Sequence, residues 1–279
     1  MTLEGRRILV TGGSMGIGRA VAQAVAEAGG AVVVAARCDA AVKEAASALP
    51  GAGHRGVVLD VAIEAAWGSV LSELGAPLHG VVAAAGVLGP IGSVNTVAPA
   101  EFLAAVHVNL FGTWLAVHTC LPLLRAAGGG SIVTFSGGGA TAPLPRFDAY
   151  AASKAGVVRL TENLAPVLAE SSVRINAVAP GFVTTRMQDA VLAAGPERAG
   201  AAYHAKASRQ VAEGGTPPEA AAALTAFLLS DDASGITGKL ISAQWDNWRD
   251  PDVRGRLTDP GDFATLRRVD EVMVKSFSR

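Results

Sequence analysis

Tyr150 and Lys154 stand four residues apart in Tyr150-Ala-Ala-Ser-Lys154, at the head of an Ala-rich run. On a helix that spacing puts a phenol and an ammonium on one face, a turn apart. An ammonium held out of water favours the phenolate and lowers the tyrosine pKa. Such a phenol can give or take a proton as a general acid or base. Taken alone, the pair reads as a surface tyrosine beside a solvated lysine, so its surroundings decide what it is.

The N-terminal surroundings include Thr11-Gly12-Gly13-Ser14-Met15-Gly16-Ile17-Gly18, between an apolar run and an Ala-rich one. Glycines at Gly12, Gly16 and Gly18 let a tight turn bring backbone close to a pyrophosphate. Ser14, Met15 and Ile17 line the same turn, whose following helix would face the anion with free N–H groups. The spacing is a variant of the dinucleotide fingerprint. The next apolar run, Ala31 to Ala36, ends without the acidic residue that would hold a ribose 2′-hydroxyl, and Arg37 follows. An arginine fork suits a 2′-phosphate, which favours NADP(H) over NAD(H); Arg37 also reads as a solvated loop charge. Asp60 closes the third apolar run, where it can accept from adenine, cap the next helix, or do both.

The elements that must position these groups alternate. Strands are expected at Arg7–Thr11, Ala31–Ala36, Gly56–Asp60, Gly80–Ala84, Ser131–Phe135, Arg174–Val178 and Lys239–Ser242, with helices near 16–28, 39–48, 62–74, 99–126, 150–171 and 217–230. Nearly continuous apolar strands imply parallel strands covered on both faces. The pattern is α/β: a doubly wound, parallel, seven-stranded sheet in a single domain, residues 1–248, followed by a C-terminal extension, 249–279. Pro166 is expected to kink or end the helix that contains it. The strandless segment 185–214 reads as a lid over a binding site. The extension reads as an extended tail with one short helix near 262–275.

Composition narrows the function. Half of the 279 residues are hydrophobic, 17% are charged, and the formal net charge is −1. There is no electrostatic case for nucleic acid or an anionic membrane. Cys38 and Cys120 form no metal-binding pair, so no metal is expected, and they read as small hydrophobes in a reducing compartment. No signal peptide and no membrane span is apparent, and a cytoplasmic location is expected.

Together these residues resemble the single-domain short-chain dehydrogenase/reductase family, from residue 5 to about 243. The resemblance rests on Thr11 to Gly18, Leu59-Asp60-Val61, Asn109 in Val108-Asn109-Leu110, Tyr150 to Lys154, and Pro180-Gly181 with Thr184. It implies a Rossmann fold. It also implies that Tyr150 exchanges a proton with a carbonyl or alcohol oxygen. Lys154 would tune Tyr150 and bind the nicotinamide ribose, and Asn109 would hold a water linking Lys154 to solvent. Asp60 and Val61 would border the adenine, and Ala85 and Gly86 would approach the cofactor. Pro180, Gly181, Val183 and Thr184 would shape the nicotinamide pocket. A homo-oligomer, dimer or tetramer, is implied, with helices 99–126 and 150–171 at the main interface.

The sequence departs from the family in three places. Ala83-Ala84-Ala85-Gly86 replaces the usual Asn-Asn-Ala-Gly, so loop support must come from backbone groups. Thirteen residues before Tyr150, where the family has a serine, stands Gly137, with Ser136 one place earlier. Either Ser136 or a backbone N–H of the glycine run would then hold the substrate oxygen. The usual Val-Asp-Gly-Gly turn is replaced by Ser242-Ala-Gln-Trp245-Asp-Asn-Trp248, whose tryptophans would pin the tail or stack on a ring. The reading is an NADP(H)-dependent oxidoreductase interconverting a ketone and a secondary alcohol, with a sugar-like or alicyclic substrate held by residues 88–95, Ser136 to Phe147 and 182–210. An epimerase using the nicotinamide transiently, or a non-catalytic dinucleotide sensor, is the alternative.

Overall fold

The computed structural model describes residues 1–74 and 77–268. Its strands are β1 (Arg7–Thr11), β2 (Ala31–Ala36), β3 (Arg55–Val58), β4 (Gly80–Ala83), β5 (Gly130–Phe135), β6 (Val173–Ala179) and β7 (Leu240–Ser242). Its helices are α1 (Gly16–Glu27), α2 (Asp39–Ser47), α3 (Glu64–Leu74), α4 (Pro99–Val106), α5 (Gly112–Ala126), α6 (Asp148–Ala169), α7 (Arg186–Ala199), α8 (Ala201–Ala212), α9 (Pro218–Leu229) and α10 (Pro251–Thr258). All the strands are parallel, in the order β3-β2-β1-β4-β5-β6-β7. The order reverses between β1 and β4, which opens a crevice at the carboxyl ends of the strands.

Strand alternation builds the two layers of core. In β1, Ile8 and Val10 face one way, with Val21 and Val25 of α1 and Leu224 and Leu228 of α9. Leu9 faces the other way, with Trp67 and Val70 of α3 and Leu115, Ala116 and Leu124 of α5. Both faces of the sheet are covered, which is why its strands are continuously apolar.

Several expectations are corrected. The third strand ends at Val58, so Asp60 lies beyond it in the turn to α3. The helix carrying Pro166 does not end there but continues to Ala169, because Ala165 and Leu168 are buried against the core. Segment 185–214 is helical: α7, broken at Gly195 (φ +71°) just before Pro196, and α8, which it meets at Gly200. Among the described residues the helix of the C-terminal extension is α10; the expected helix near 262–275 lies partly outside them. Asp250 caps it by accepting from the N–H groups of Asp252 (2.8 Å) and Val253 (3.4 Å), and Pro251 opens its first turn. Residues 262–268 are turn and irregular chain, and 269–279 lie outside the described residues. Cys38 is exposed, whereas Cys120 is buried.

One continuous helical run, Pro99–Ala126, is long and apolar enough by length and composition to cross a membrane. Here it lies on the sheet, with Leu115, Ala116, Val117, Cys120 and Leu124 in the core. The extension is held to the body. Trp248 is buried and stacks on Phe227 at 5.1 Å, while Trp245 is exposed. Lys239, buried, points its ammonium at the carbonyls of Asp259 (2.8 Å), Gly261 (2.9 Å) and Phe263 (3.1 Å).

Candidate active site

The carboxyl ends of β1, β4 and β5 bring the expected residues together. Gly12 adopts φ +67°, and a Cβ on it would lie 2.8 Å from Ala85 Cα. A Cβ on Gly18 would lie 2.3 Å from the Gly12 carbonyl oxygen, so neither position accepts a side chain. Met15 precedes α1 without capping it through its side chain, so the first-turn N–H groups face outward beside Ser14, Gly16 and Ile17. A pyrophosphate fits this cradle, because uncapped N–H groups and a helix N-terminus both favour an anion. Thr11 ties the loop to the next strand: its hydroxyl donates to Val82 O and accepts from Ala85 N, each at 3.3 Å.

The support lost with the family's two asparagines comes mainly from Asn109. A π-helical turn, His107–Phe111, interrupts the run between α4 and α5 and carries Asn109, fully buried. Its Oδ1 accepts from Val87 N at 2.8 Å, and its Nδ2 donates to Val87 O at 2.9 Å and Ser153 Oγ at 3.0 Å. Asn109 therefore clamps the loop after β4. Gly86 lies in that loop, so close that a Cβ on it would be 3.2 Å from Asn109 Oδ1 and 3.6 Å from Lys154 Nζ.

Tyr150 and Lys154 share the first turns of α6. Lys154 is buried, donates to Phe135 O at 3.0 Å, and holds its ammonium 5.8 Å from the centre of the Tyr150 ring. Burial pushes the Tyr150 phenol up to about 12, with Tyr203 adding to the rise, and pulls the Lys154 ammonium down to about 8. The expected lowering of Tyr150 by Lys154 is thus overridden by desolvation. A Cβ on Gly137 would lie 2.3 Å from Tyr150 Oη, so the phenol occupies the space of a side chain at that position. Ser136 is buried, and its N–H donates to Val178 O at 2.9 Å.

The other expected residues lie at the same end of the sheet. Asp60 accepts from Ala62 N at 3.0 Å, a local turn that precedes α3 rather than a cap of it, and Val61 is buried under Gly112. Pro180 and Gly181 follow β6, Val183 is buried and bridged to Thr216, and Thr184 donates to Gly214 O at 3.3 Å. Arg37 is exposed and has no ion pair among the described residues. It lines a cleft of about 660 Å³ with Val87, Gly89, Val108 and Arg198.

The three expected substrate segments are joined to one another. Gly92 N donates to Arg146 O at 2.9 Å, Arg146 Nη1 to the carbonyls of Glu197 and Arg198, and Arg198 Nη2 to Ile91 O at 3.0 Å. Their wall is apolar: Ile91, Phe147 and Val191 are buried, with Leu88, Leu144, Phe182 and Tyr203 packed against them. Ser153, Phe147 and Tyr203 escape a reading by motif alone. The one available signal for Tyr203 is that the chain has only two tyrosines, the second within the expected lid. Among the described residues no group of three metal-ligating side chains occurs.

Comparison with known proteins agrees with this geometry. Residues 12–244 match the family model described as enoyl-(acyl carrier protein) reductase. Dehydrogenase/reductase SDR family member 4 of Bos taurus is 36% identical over 245 residues, covering 86% of each chain. The cis-4-hydroxycyclohexanecarboxylate dehydrogenase of Sinomonas cyclohexanicum is 35% identical over 242 residues, 85% of this chain and 94% of the relative. An NAD+-bound xylitol dehydrogenase superposes with a TM-score of 0.79 at 25% identity, over 87% of this chain and 98% of the other. A structure from Beutenbergia cavernae, described as an NAD(P)-dependent gluconate 5-dehydrogenase with bound NADP, gives 0.77 at 32% identity, over 87% and 96%. The chain belongs to the short-chain dehydrogenase/reductase family and is an oxidoreductase of the alcohol–ketone pair.

Proposed function

We propose that this protein uses NADP(H) to reduce an alicyclic ketone, or to oxidise the matching secondary alcohol, with Tyr150 as proton donor and acceptor. The observation that carries the proposal is the convergence of Tyr150, Lys154 and clamped Gly86 beside the glycine cradle. When bound, the nicotinamide supplies a hydride to the carbonyl carbon. Tyr150 supplies the proton to the oxygen, so hydride and proton together convert C=O to CH–OH, and the reverse step returns both. With its pKa near 12, Tyr150 is already in the acid form at neutral pH, which suits reduction. Lys154, with one N–H on Phe135 O, keeps two donors for the ribose hydroxyls.

The apolar wall of Ile91, Phe147, Leu144 and Phe182 fits a carbocycle better than a polyol, and one relative is named for a cyclohexane alcohol. Unpaired Arg37 in the cleft, with Ala36 in place of an acid, supports NADP(H). A cytoplasmic location belongs to the same reading, and so does a homo-oligomer. The second is supported by Leu103 and Trp114 on the helical run 99–126 and Val167 on α6, all exposed.

The test is steady-state turnover of cyclohexanone and ring-substituted cyclohexanones with NADPH and NADH. Tyr150→Phe is expected to lose about 10²–10⁴-fold in kcat while staying folded. Turnover that survives Tyr150→Phe sinks the proposed role. Arg37→Ala should cut the preference for NADPH by roughly 10–100-fold, the worth of a charge-assisted contact of about 1.5–3 kcal/mol. An unchanged cofactor ratio removes Arg37 from the 2′-phosphate site.

A further inference from the structure

The family's serine places a hydroxyl beside the reacting oxygen, and this chain has none at that position. Gly137 cannot regain it, because a Cβ there would meet Tyr150 Oη at 2.3 Å. Ser136, one residue earlier, is buried at the end of β5 with its N–H held by β6. The remaining tyrosine of the chain, Tyr203, comes from the lid. Its ring meets Phe147 at 4.8 Å and 58°, three residues before Tyr150. It shares one apolar cluster with Tyr150, Phe147, Leu144 and Phe182. Its hydroxyl has no hydrogen-bond partner among the described residues. The helix that carries it is fixed: His204 Nε2 lies 3.3 Å from Leu192 O, and Arg146 and Arg198 tie the preceding helix to the loops on either side of the site.

We propose that the Tyr203 hydroxyl is the second hydrogen-bond donor to the substrate oxygen, supplying from lid helix α8 what the family supplies from the serine position. The proposal rests on the ketone–alcohol reading with Tyr150 as proton donor. A donor on a packed helix is preorganised for charge that develops on the oxygen. The two phenols are near enough that Tyr203 raises the Tyr150 pKa, and burial raises that of Tyr203 itself, so Tyr203 remains protonated at neutral pH. The segment then completes the site chemically.

The test compares wild type, Tyr203→Phe, Ser136→Ala and Tyr150→Phe with NADPH and cyclohexanone. Tyr203→Phe keeps the ring contact with Phe147, so a packing role predicts no change. The donor role predicts a loss of about 10²–10³-fold in kcat, with NADPH affinity unchanged. Ser136→Ala, the competing donor, is expected to lose less in kcat than Tyr203→Phe. Wild-type kcat in Tyr203→Phe overturns the inference, as does a 10²-fold loss confined to Ser136→Ala. If the phenylalanine variant does not fold, Tyr203→Trp, which keeps a ring and a donor, should exceed Tyr203→Leu; equal kcat in those two also overturns it. Turnover surviving in Tyr150→Phe marks failure of the underlying reading and takes the inference with it, whereas failure at Tyr203 alone leaves that reading standing.

Discussion

Lys154 carries its ammonium into the protein with the Phe135 carbonyl as its hydrogen-bond partner, and burial brings its pKa from 10.5 to about 8. Below pH 8 the lysine is charged in both the folded and the unfolded chain, and the folded state bears the full desolvation cost. Between pH 8 and 10.5 the unfolded chain binds more protons, so stability rises with pH. Tyr150 has the opposite sign. Its folded pKa, near 12, exceeds the ordinary 10.0, so its contribution is full below pH 10 and is lost as pH climbs through 12. From pH 8 to 10 Tyr150 is silent, while Cys120, whose thiol burial pushes from 9.0 up to about 12, opposes the lysine, and Lys239, also lowered by burial, adds to it. Lys154→Met should lower the slope there, so that the stability difference between wild type and variant changes across the window in unfolding experiments on the cofactor-free protein. A difference between wild type and variant that stays flat across the window contradicts the depressed lysine. Motif spacing made Tyr150, Lys154 and Asn109 legible in the sequence. It did not reveal that desolvation outweighs the attraction between the first two, because burial depends on β5, α6 and the lid arriving together. Nor did it reveal that Asn109 is a clamp, because Val87 and Ser153 are 22 and 44 residues away in the chain.

At the scale of elements, strands were legible because parallel strands covered on both faces must be apolar throughout. Boundaries moved where local chemistry competed. Asp250-Pro251 reads as a chain breaker, yet an aspartate N-cap followed by proline in the first turn is also how a helix begins, and α10 begins there. Pro166 forfeits one backbone hydrogen bond, but burial of Ala165 and Leu168 keeps α6 continuous. Segment 185–214 was recognisable only as a length of chain without a strand. Its division into α7 and α8 depends on Gly200 at φ +83° and on a capping box between Thr185 and Gln188, which fixes where α7 starts. The lid's tethers, Arg146 and Arg198, carry no motif at all. They act through backbone carbonyls of segments distant in sequence, and this is why the lid's link to the site appears only in the fold.

For the whole molecule, the face formed by the helical run 99–126 and α6 bears on assembly. Phe111, Trp114 and His118 stack in series there, with ring centres 5.9 and 4.7 Å apart, and Leu103 and Trp114 are exposed. The protein is expected to sediment as a dimer or larger at micromolar concentration, and Trp114→Glu should shift it toward the monomer. A monomer mass at every concentration tested rules out assembly through this face. The β7 edge of the sheet is built differently. On β7, Leu240 donates its N–H to Ala264 O at 2.7 Å and Ser242 donates to Asp246 Oδ2 at 2.7 Å, with Lys239 anchoring the segment that supplies Ala264. The strand's outward-facing donors are therefore already taken by its own chain. An open edge of a sheet is a template on which a foreign strand can add and from which aggregates can grow. By folding its extension back along β7, this chain occupies the donors of that one edge with its own residues.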